Sequence, residues 1–420
     1  MPTPPVRSAH RIHRMNISTW WQRALGACLL TTLAVTAQAA GVSPALQQLA
    51  RSFLEEHPAA QAARADLERA IAEARASGQP LYNPEIELDY EHATDNTGTV
   101  GVAQALDWTG KRRARDNASR DSVRAARAAE AAARQQLLGE LLQDLGTLST
   151  SSRAAALAQQ RVDLLADFLD LAQRRYAAGD VGQTDVDLAR LALAEARMQA
   201  ASASADASAA ESRLAALVPR PGGGWPALPA LPENLMAVET EELLKRHPAL
   251  IQARAEADAA RASIEIARLD RRPDPVVGIR GGKEGDDTLV GVSVSIPLFV
   301  RNSFRAELDA SNADAIRAEE VYNDRLRRAR SQLQAAAQRY RLTRSALDYW
   351  ENSGQSSLKG RIRLLKRLWE TGEIGTTDYL VQLQQTLDTQ ASAVELEATA
   401  WDAWIAWLQA AGRTEQWLGL

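Results

Sequence analysis

The sequence predicts a mainly α-helical protein with a small β part, in which one plan of elements is used twice. Three observations carry this reading. The 420 residues are 45% hydrophobic yet include only 4 Phe, with alanine supplying much of the apolar content. Small side chains of that kind suit long helices in close approach better than a bulky globular core. None of the 16 Pro falls between Glu85 and Val218, and none follows Pro297. Both stretches can therefore carry uninterrupted helix. Finally, His57-Pro58-Ala59 returns as His247-Pro248-Ala249 after 190 residues, and Asn83-Pro84 as Asp274-Pro275 after 191. Gly179-Asp180-Val181-Gly182-Gln183-Thr184-Asp185 returns as Gly372-Glu373-Ile374-Gly375-Thr376-Thr377-Asp378 after 193. So steady a spacing indicates an internal duplication.

The elements follow in order. Residues 1–39 carry Arg7, Arg11, Arg14 and Arg23 without an acidic residue, then the apolar run Ala24–Ala37 and the small-x-small pattern Ala37-Gln38-Ala39. This is the layout of a secretory signal peptide, starting at Met1 or Met15. The run is shorter than the ~18–20 residues a spanning helix needs. Cys28 in Leu25-Gly26-Ala27-Cys28 is a poor lipid-attachment site, because the main apolar stretch follows it. Cleavage after Ala39 would remove the one Cys and shift the formal net charge from −4 to −8. The mature chain would then use neither disulfides nor thiolate ligands.

The first repeat, residues 40–218, reads as helix Pro58–Ser77, a strand pair, a very long helix Lys111–Ala178, a glycine turn and a return helix Thr184–Leu217. Leu138, Leu141, Leu145 and Leu148 give the 3–4 alternation of a coiled-coil seam. At 1.5 Å per residue, the long helix reaches ~100 Å. Residues 219–238 form a linker, since Pro219–Pro232 holds five Pro and three consecutive Gly. The second repeat, residues 239–420, reads as helix Pro248–Arg271, a strand pair, helix Asn302–Thr371, a glycine turn and return helix Thr376–Ala411. In each repeat the first and return helices together nearly match the long one, so they can stack end to end along it.

In Glu85–Glu91 the apolar Ile86, Leu88 and Tyr90 alternate with Glu85, Glu87, Asp89 and Glu91. In Val100–Trp108, Val102, Leu106 and Trp108 share one face. Val290, Val292, Val294, Ile296 and Leu298 repeat the pattern in the second half. Such alternation fits a soluble sandwich and the strands of a membrane barrel equally well. Four strands cannot close a barrel, for which about eight is the smallest natural number. Open edges are not tolerated in lipid, so a membrane reading requires several chains to share one barrel.

Other classes are disfavoured. A net charge of −4 argues against nucleic acid as a partner, and a mean hydropathy of −0.30 against many spanning helices. Beyond the leader the only histidines are His57, His92 and His247, far apart in sequence. No catalytic constellation and no set with metal-ligand spacing appears, so neither an enzyme, a cofactor nor a dedicated metal site is expected. Trp401, Trp404 and Trp407 read as helix packing, and Lys111, Arg112, Arg113 and Arg115 as an interfacial basic belt.

The chain resembles the TolC-like outer-membrane factors of tripartite efflux pumps from about Ser43 to Ala411. The likeness rests on Asn83-Pro84-Glu85, on Gln104-Ala105-Leu106-Asp107-Trp108-Thr109-Gly110-Lys111-Arg112, and on Ser295-Ile296-Pro297-Leu298-Phe299-Val300-Arg301-Asn302. Two glycine turns, Arg175-Tyr176-x-x-Gly179 and Leu368-Trp369-x-x-Gly372, complete it. The two strand exits look most like the heavy-metal branch, of cobalt-zinc-cadmium type.

The resemblance implies a homotrimer: a long α-helical coiled-coil barrel crossing the periplasm, and a 12-stranded outer-membrane β-barrel to which each chain gives four strands. Implied partners are outer-membrane lipid, a periplasmic adaptor, and an inner-membrane transporter of the resistance-nodulation-division type. The implied role is a passive exit duct for divalent heavy-metal cations. A multidrug or type I secretion duct is the alternative, and a soluble periplasmic coiled-coil adaptor or scaffold is the rival of another class.

The resemblance also suggests sites. Gly179, Val181, Gly182, Gln183 and Thr184, with Gly372, Ile374, Gly375, Thr376 and Thr377, would form the adaptor-docking tip. Asp378, and less clearly Asp185, would ring the periplasmic aperture, although Val381 stands where drug-efflux members carry a second Asp. Both aspartates also suit ordinary helix N-termini. Glu85, Glu87, Asp89 and Glu91 would line the barrel lumen and concentrate cations there.

Overall fold

The structure is a computed structural model describing residues 41–92 and 96–420; the predicted leader and Cys28 lie outside the described residues. Helix α1 (Pro44–Glu56) is capped by Ser43, whose Oγ accepts from the Leu46 N–H at 3.2 Å. The chain breaks at His57-Pro58, where proline has no N–H to offer α1. His57 Nδ1 instead accepts from the Ala59 N–H at 3.2 Å and starts α2 (Pro58–Ser77). Strands β1 (Glu85–His92) and β2 (Asn96–Ala105) follow. Helix α3 (Lys111–Ala178) has the predicted bounds and is 68 residues long. Its C-terminal turn ends on Gly179, whose φ of 84° places it in the left-handed region that glycine adopts at least cost. Helix α4 (Gln183–Leu217) returns along it.

The second half repeats the plan with α5 (Thr240–Arg246), α6 (Pro248–Asp270), β3 (Val276–Glu284) and β4 (Asp287–Ser295). Helix α7 (Arg305–Tyr349), a π-helical turn Trp350–Gly354, α8 (Gln355–Glu370), α9 (Thr376–Ala410) and α10 (Thr414–Leu418) complete it. Helices α2 and α4 pack end to end along α3, as their lengths predicted, while α6 and α9 do so along α7 and α8. Helix α3 also touches α6 and α9 and so joins the halves. The strands form one antiparallel sheet in the order β1-β2-β3-β4.

Apolar surface is buried in two separate clusters. The larger joins Leu46, Phe53, Leu138, Leu141, Leu142, Leu145, Leu214, Tyr340 and the α9 tryptophans. Trp401, Trp404 and Trp407 are buried there as packing residues, with Trp404 and Trp407 stacked at 5.1 Å. The linker is irregular as predicted but not loose: Leu231 is buried and Trp225, Leu228, Leu235 and Val238 cover this cluster. The smaller cluster lies near the glycine turns and gathers Leu165, Phe168, Leu193, Leu365, Trp369, Tyr379 and Leu383.

Two expectations need correction. The second strand was expected to run to Trp108, but β2 ends at Ala105. Asp107 decides this: Oδ1 accepts from the N–H groups of Gly110 (2.9 Å) and Lys111 (2.8 Å), and Oδ2 from that of Arg112 (2.9 Å). Three otherwise orphaned helix donors are satisfied, so the chain turns into α3 although its apolar alternation continues. The second long helix, expected to be continuous from Asn302 to Thr371, starts at Arg305 after Phe304 (φ 52°) and is interrupted by the π turn. Ala315, Leu333, Tyr340 and Leu347 are buried before that turn, and Leu365 and Trp369 after it. Within the turn, Trp350 lies over Gly354 and leaves no room for a Cβ at that position.

Candidate functional site: sheet, junction and hairpin tips

The sheet has two chemically different faces. Side chains alternate along a strand, so the registers define rows. Ile86, Val102, Ile279 and Val292 form one row, and Leu88, Val100, Gly281 and Val290 the next. Apart from the half-buried Gly281 these residues are exposed, at 75% for Ile86 and 84% for Val290. A continuous apolar face of this kind on a sheet with nothing packed over it marks a surface meant for lipid or protein. Glu85, Glu87, Asp89 and Glu91 lie together on the opposite face and are exposed. The rows behind them hold Ala103, Gly101, Thr99 and Thr97 on β2 and Gly278, Arg280, Gly282 and Glu284 on β3. Among the described residues no helix is long and apolar enough to cross a membrane.

Where the sheet meets the helices, the predicted basic belt is only partly present. Arg112 and Arg113 are exposed, and Arg115 lies 3.5 Å from Asp270. Lys111, however, is buried and pairs with Asp274 at 2.8 Å. Its Nζ also donates to the Arg272 carbonyl at 2.8 Å, and the Tyr82 hydroxyl donates to Asp274 Oδ2 at 2.6 Å. Trp108 Nε1 donates to the Pro273 carbonyl at 2.9 Å. The helical start of one repeat is thereby bolted to the strand entry of the other. Its hydrogen bond to Asp274, then burial, pushes the Tyr82 hydroxyl up to about 12. Burial pushes the Asp107 carboxyl up, but its three backbone donors outweigh that and hold it below the ordinary range. Nothing local in the sequence marks this network, because Lys111 and Asp274 stand 163 residues apart.

At the other end lie the two glycine turns. Gly182 caps α4, and its N–H donates to Asp185 Oδ2 at 2.9 Å, so Asp185 acts as a helix-start carboxylate. Asp378 sits at the equivalent place in α9 and is exposed. Gly179, Gly182, Gln183, Thr184, Gly372, Gly375 and Thr377 are exposed, whereas Thr376 is buried and Ile374 packs against the smaller cluster. Gly372 has φ 77°, matching Gly179.

The tips are held side by side by a group the sequence did not single out. Phe168 lies 4.6 Å from Trp369 and 4.7 Å from Tyr379. Arg175 stacks 5.1 Å over Trp369 and donates to its carbonyl at 2.7 Å. Trp369 Nε1 donates to Thr376 Oγ1 at 3.3 Å. The one available signal was that Arg175 and Trp369 belong to the two repeated turn motifs. Among the described residues no group of three or more His, Cys, Asp or Glu is placed to hold a metal ion.

Comparison with known proteins places this architecture. The family model described as outer membrane efflux protein matches residues 49–219 and 240–413, most of the chain. The cobalt-zinc-cadmium resistance protein CzcC of Cupriavidus metallidurans is 26% identical over 266 residues, covering 61% of this chain and 63% of that protein. The fusaric acid resistance protein FusA of Burkholderia cepacia is 27% identical over 239 residues, covering 52% of this chain and 45% of that protein. The chain thus spans less than two thirds of either relative. A crystal structure of CusC superposes with a TM-score of 0.74 at 16% identity, covering 90% of this chain and 95% of that one, a likeness of fold.

Proposed function

The chain belongs to the outer membrane efflux protein family, and from that membership we propose that it is the outer-membrane exit duct of a tripartite efflux pump, carrying divalent heavy-metal cations. The observation that supports this most is the exposed apolar sheet face, whose two edge strands β1 and β4 have no partner among the described residues. Unpaired edges in lipid cost several kcal/mol per backbone group. Three copies side by side would join β4 of each to β1 of the next and close a barrel of twelve strands. The ~100 Å helices then continue the tube through the periplasm.

The duct itself is passive. An inner-membrane transporter of the resistance-nodulation-division type supplies the energy, and a periplasmic adaptor docks on the Gly179–Thr184 and Gly372–Thr377 turns. Three copies of Asp378, with Asp185 nearby, would ring the periplasmic aperture and favour cations. Glu85, Glu87, Asp89 and Glu91 would line the lumen. That acidic lining and the likeness to CzcC support metal cations; the likeness to FusA makes an organic acid or drug the alternative cargo.

Two measurements test the reading. The protein should fractionate with the outer membrane and run as a trimer until heated; recovery as a soluble monomer defeats the duct. A deletion strain should become sensitive to one or more of zinc, cobalt, cadmium and copper. Sensitivity only to drugs overturns the metal assignment.

A further inference from the structure

The acidic face of the sheet carries one basic residue on its described strands, Arg280. It lies in the row Glu87, Gly101, Arg280, Gly291. Its side chain does not lean towards β1 of its own chain. It lies over the neighbouring edge strand, where a Cβ on Gly291 would fall 3.1 Å from Arg280 Nε and 3.4 Å from Cγ. Gly291 is thus the gap that lets the side chain lie across β4. There it is exposed, and among the described residues it has no ion-pair partner. Five fixed donors with no acceptor are an incomplete arrangement on a face otherwise charged by carboxylates.

The other free edge of the sheet, β1, presents Glu85, Glu87, Asp89 and Glu91 in one column on the same face. Resting on the barrel closure proposed above, we propose that Arg280 crosses β4 to pair with a β1 carboxylate of the neighbouring copy. The occupant of the β4 edge is therefore a second copy of this chain, recognised by charge as well as by backbone pairing. From β3 across β4 to the next β1 is two strand spacings, ~9–10 Å, which an extended arginine and a carboxylate span together. The small Gly291, Ser293 and Ser295 on β4 leave that path open. Three such pairs would place three positive charges at one level of the tube and interrupt its cation-attracting lining there.

The test uses the full-length protein in detergent, reading the temperature at which the SDS-resistant trimer dissociates. Arg280→Met, which keeps the stem, should lower that temperature, and Arg280→Glu should lower it further. The difference between wild type and Arg280→Glu should shrink in high salt, because the lumen is wet. Adding Glu85→Arg, Glu87→Arg, Asp89→Arg or Glu91→Arg to Arg280→Glu should restore the wild-type temperature for at least one of the four. Trimers of Arg280→Glu chains mixed with the matching β1-reversed chains should be more stable than trimers of either alone, which a pair within one chain would not produce. A heat-stable wild-type trimer whose dissociation is unchanged in Arg280→Glu, or is restored by no reversal, overturns this proposal and leaves the duct standing. A wild-type chain that never forms trimers overturns both.

Discussion

Replacing Lys111 by Met should loosen the joint between sheet and helices more than any other single change near the strands. Lys111 and Asp274 are 7% and 6% exposed at their side chains and lie 2.8 Å apart. Removing one member of a buried pair leaves the other desolvated and uncompensated, at a cost of about 3–5 kcal/mol. Asp274 would keep the Tyr82 hydroxyl but lose its cation, and its Oδ1 already lacks a partner. The lower end of that range, about 3 kcal/mol, corresponds to at least about a hundredfold faster local opening. Amide hydrogen exchange over residues 105–115 and 270–276 reads that opening directly. The double variant Lys111→Met with Asp274→Leu should recover about 2 kcal/mol or more relative to the sum of the single changes. Unchanged exchange in Lys111→Met, or strictly additive single changes, would refute the idea that this pair bolts the repeats together.

Three further outcomes follow from the same structure. Trp369→Ala removes the ring between Phe168, Tyr379 and Arg175 and should cost about 3–5 kcal/mol, seen as faster proteolysis of both tips rather than of one. Gly179→Ala meets no neighbouring atom, since nothing lies within 4 Å of a Cβ there. Only the left-handed φ of 84° opposes it, so its cost should be about 1 kcal/mol in denaturant midpoint, confined to the first hairpin. His247 is half-buried, and burial lowers its pKa against the opposing hydrogen bond to the Gln409 carbonyl. The unfolded chain therefore binds the proton first. Stability should be full above about pH 6.5 and decline as pH falls below it towards the lowered folded value. His247→Gln should flatten that slope between pH 7.5 and 5.5; an identical slope would exclude His247 as its source.

Much of the fold was legible because its signals are local or periodic. The 68-residue α3 needed no proline, a leucine seam, and a glycine that stops it, and its bounds emerged as predicted. Both hairpin turns and the alternating strands were visible for the same reason, and so was the acidic face of β1. The errors arose where a local pattern met a competing contact. Apolar alternation runs on through Leu106 and Trp108, but capping by Asp107 ends the strand before them. Proline-free sequence promised one long helix in the second half, but α7 starts only at Arg305 and a π turn interrupts the helix at Trp350–Gly354. A lysine in a basic run reads as solvated until its partner is known.

By itself, the sequence determined the duplication, the element order, the two-faced strands and the glycine-capped tips, because each depends on neighbours within a turn or a strand. Only the tertiary structure decided that Lys111 is buried against Asp274, that Arg175 and Phe168 tie one tip to the other through Trp369, and that Arg280 passes over Gly291. Those partners lie on different elements, most of them far apart in the chain. Periodicity places a residue on a face, but only packing selects what stands opposite it.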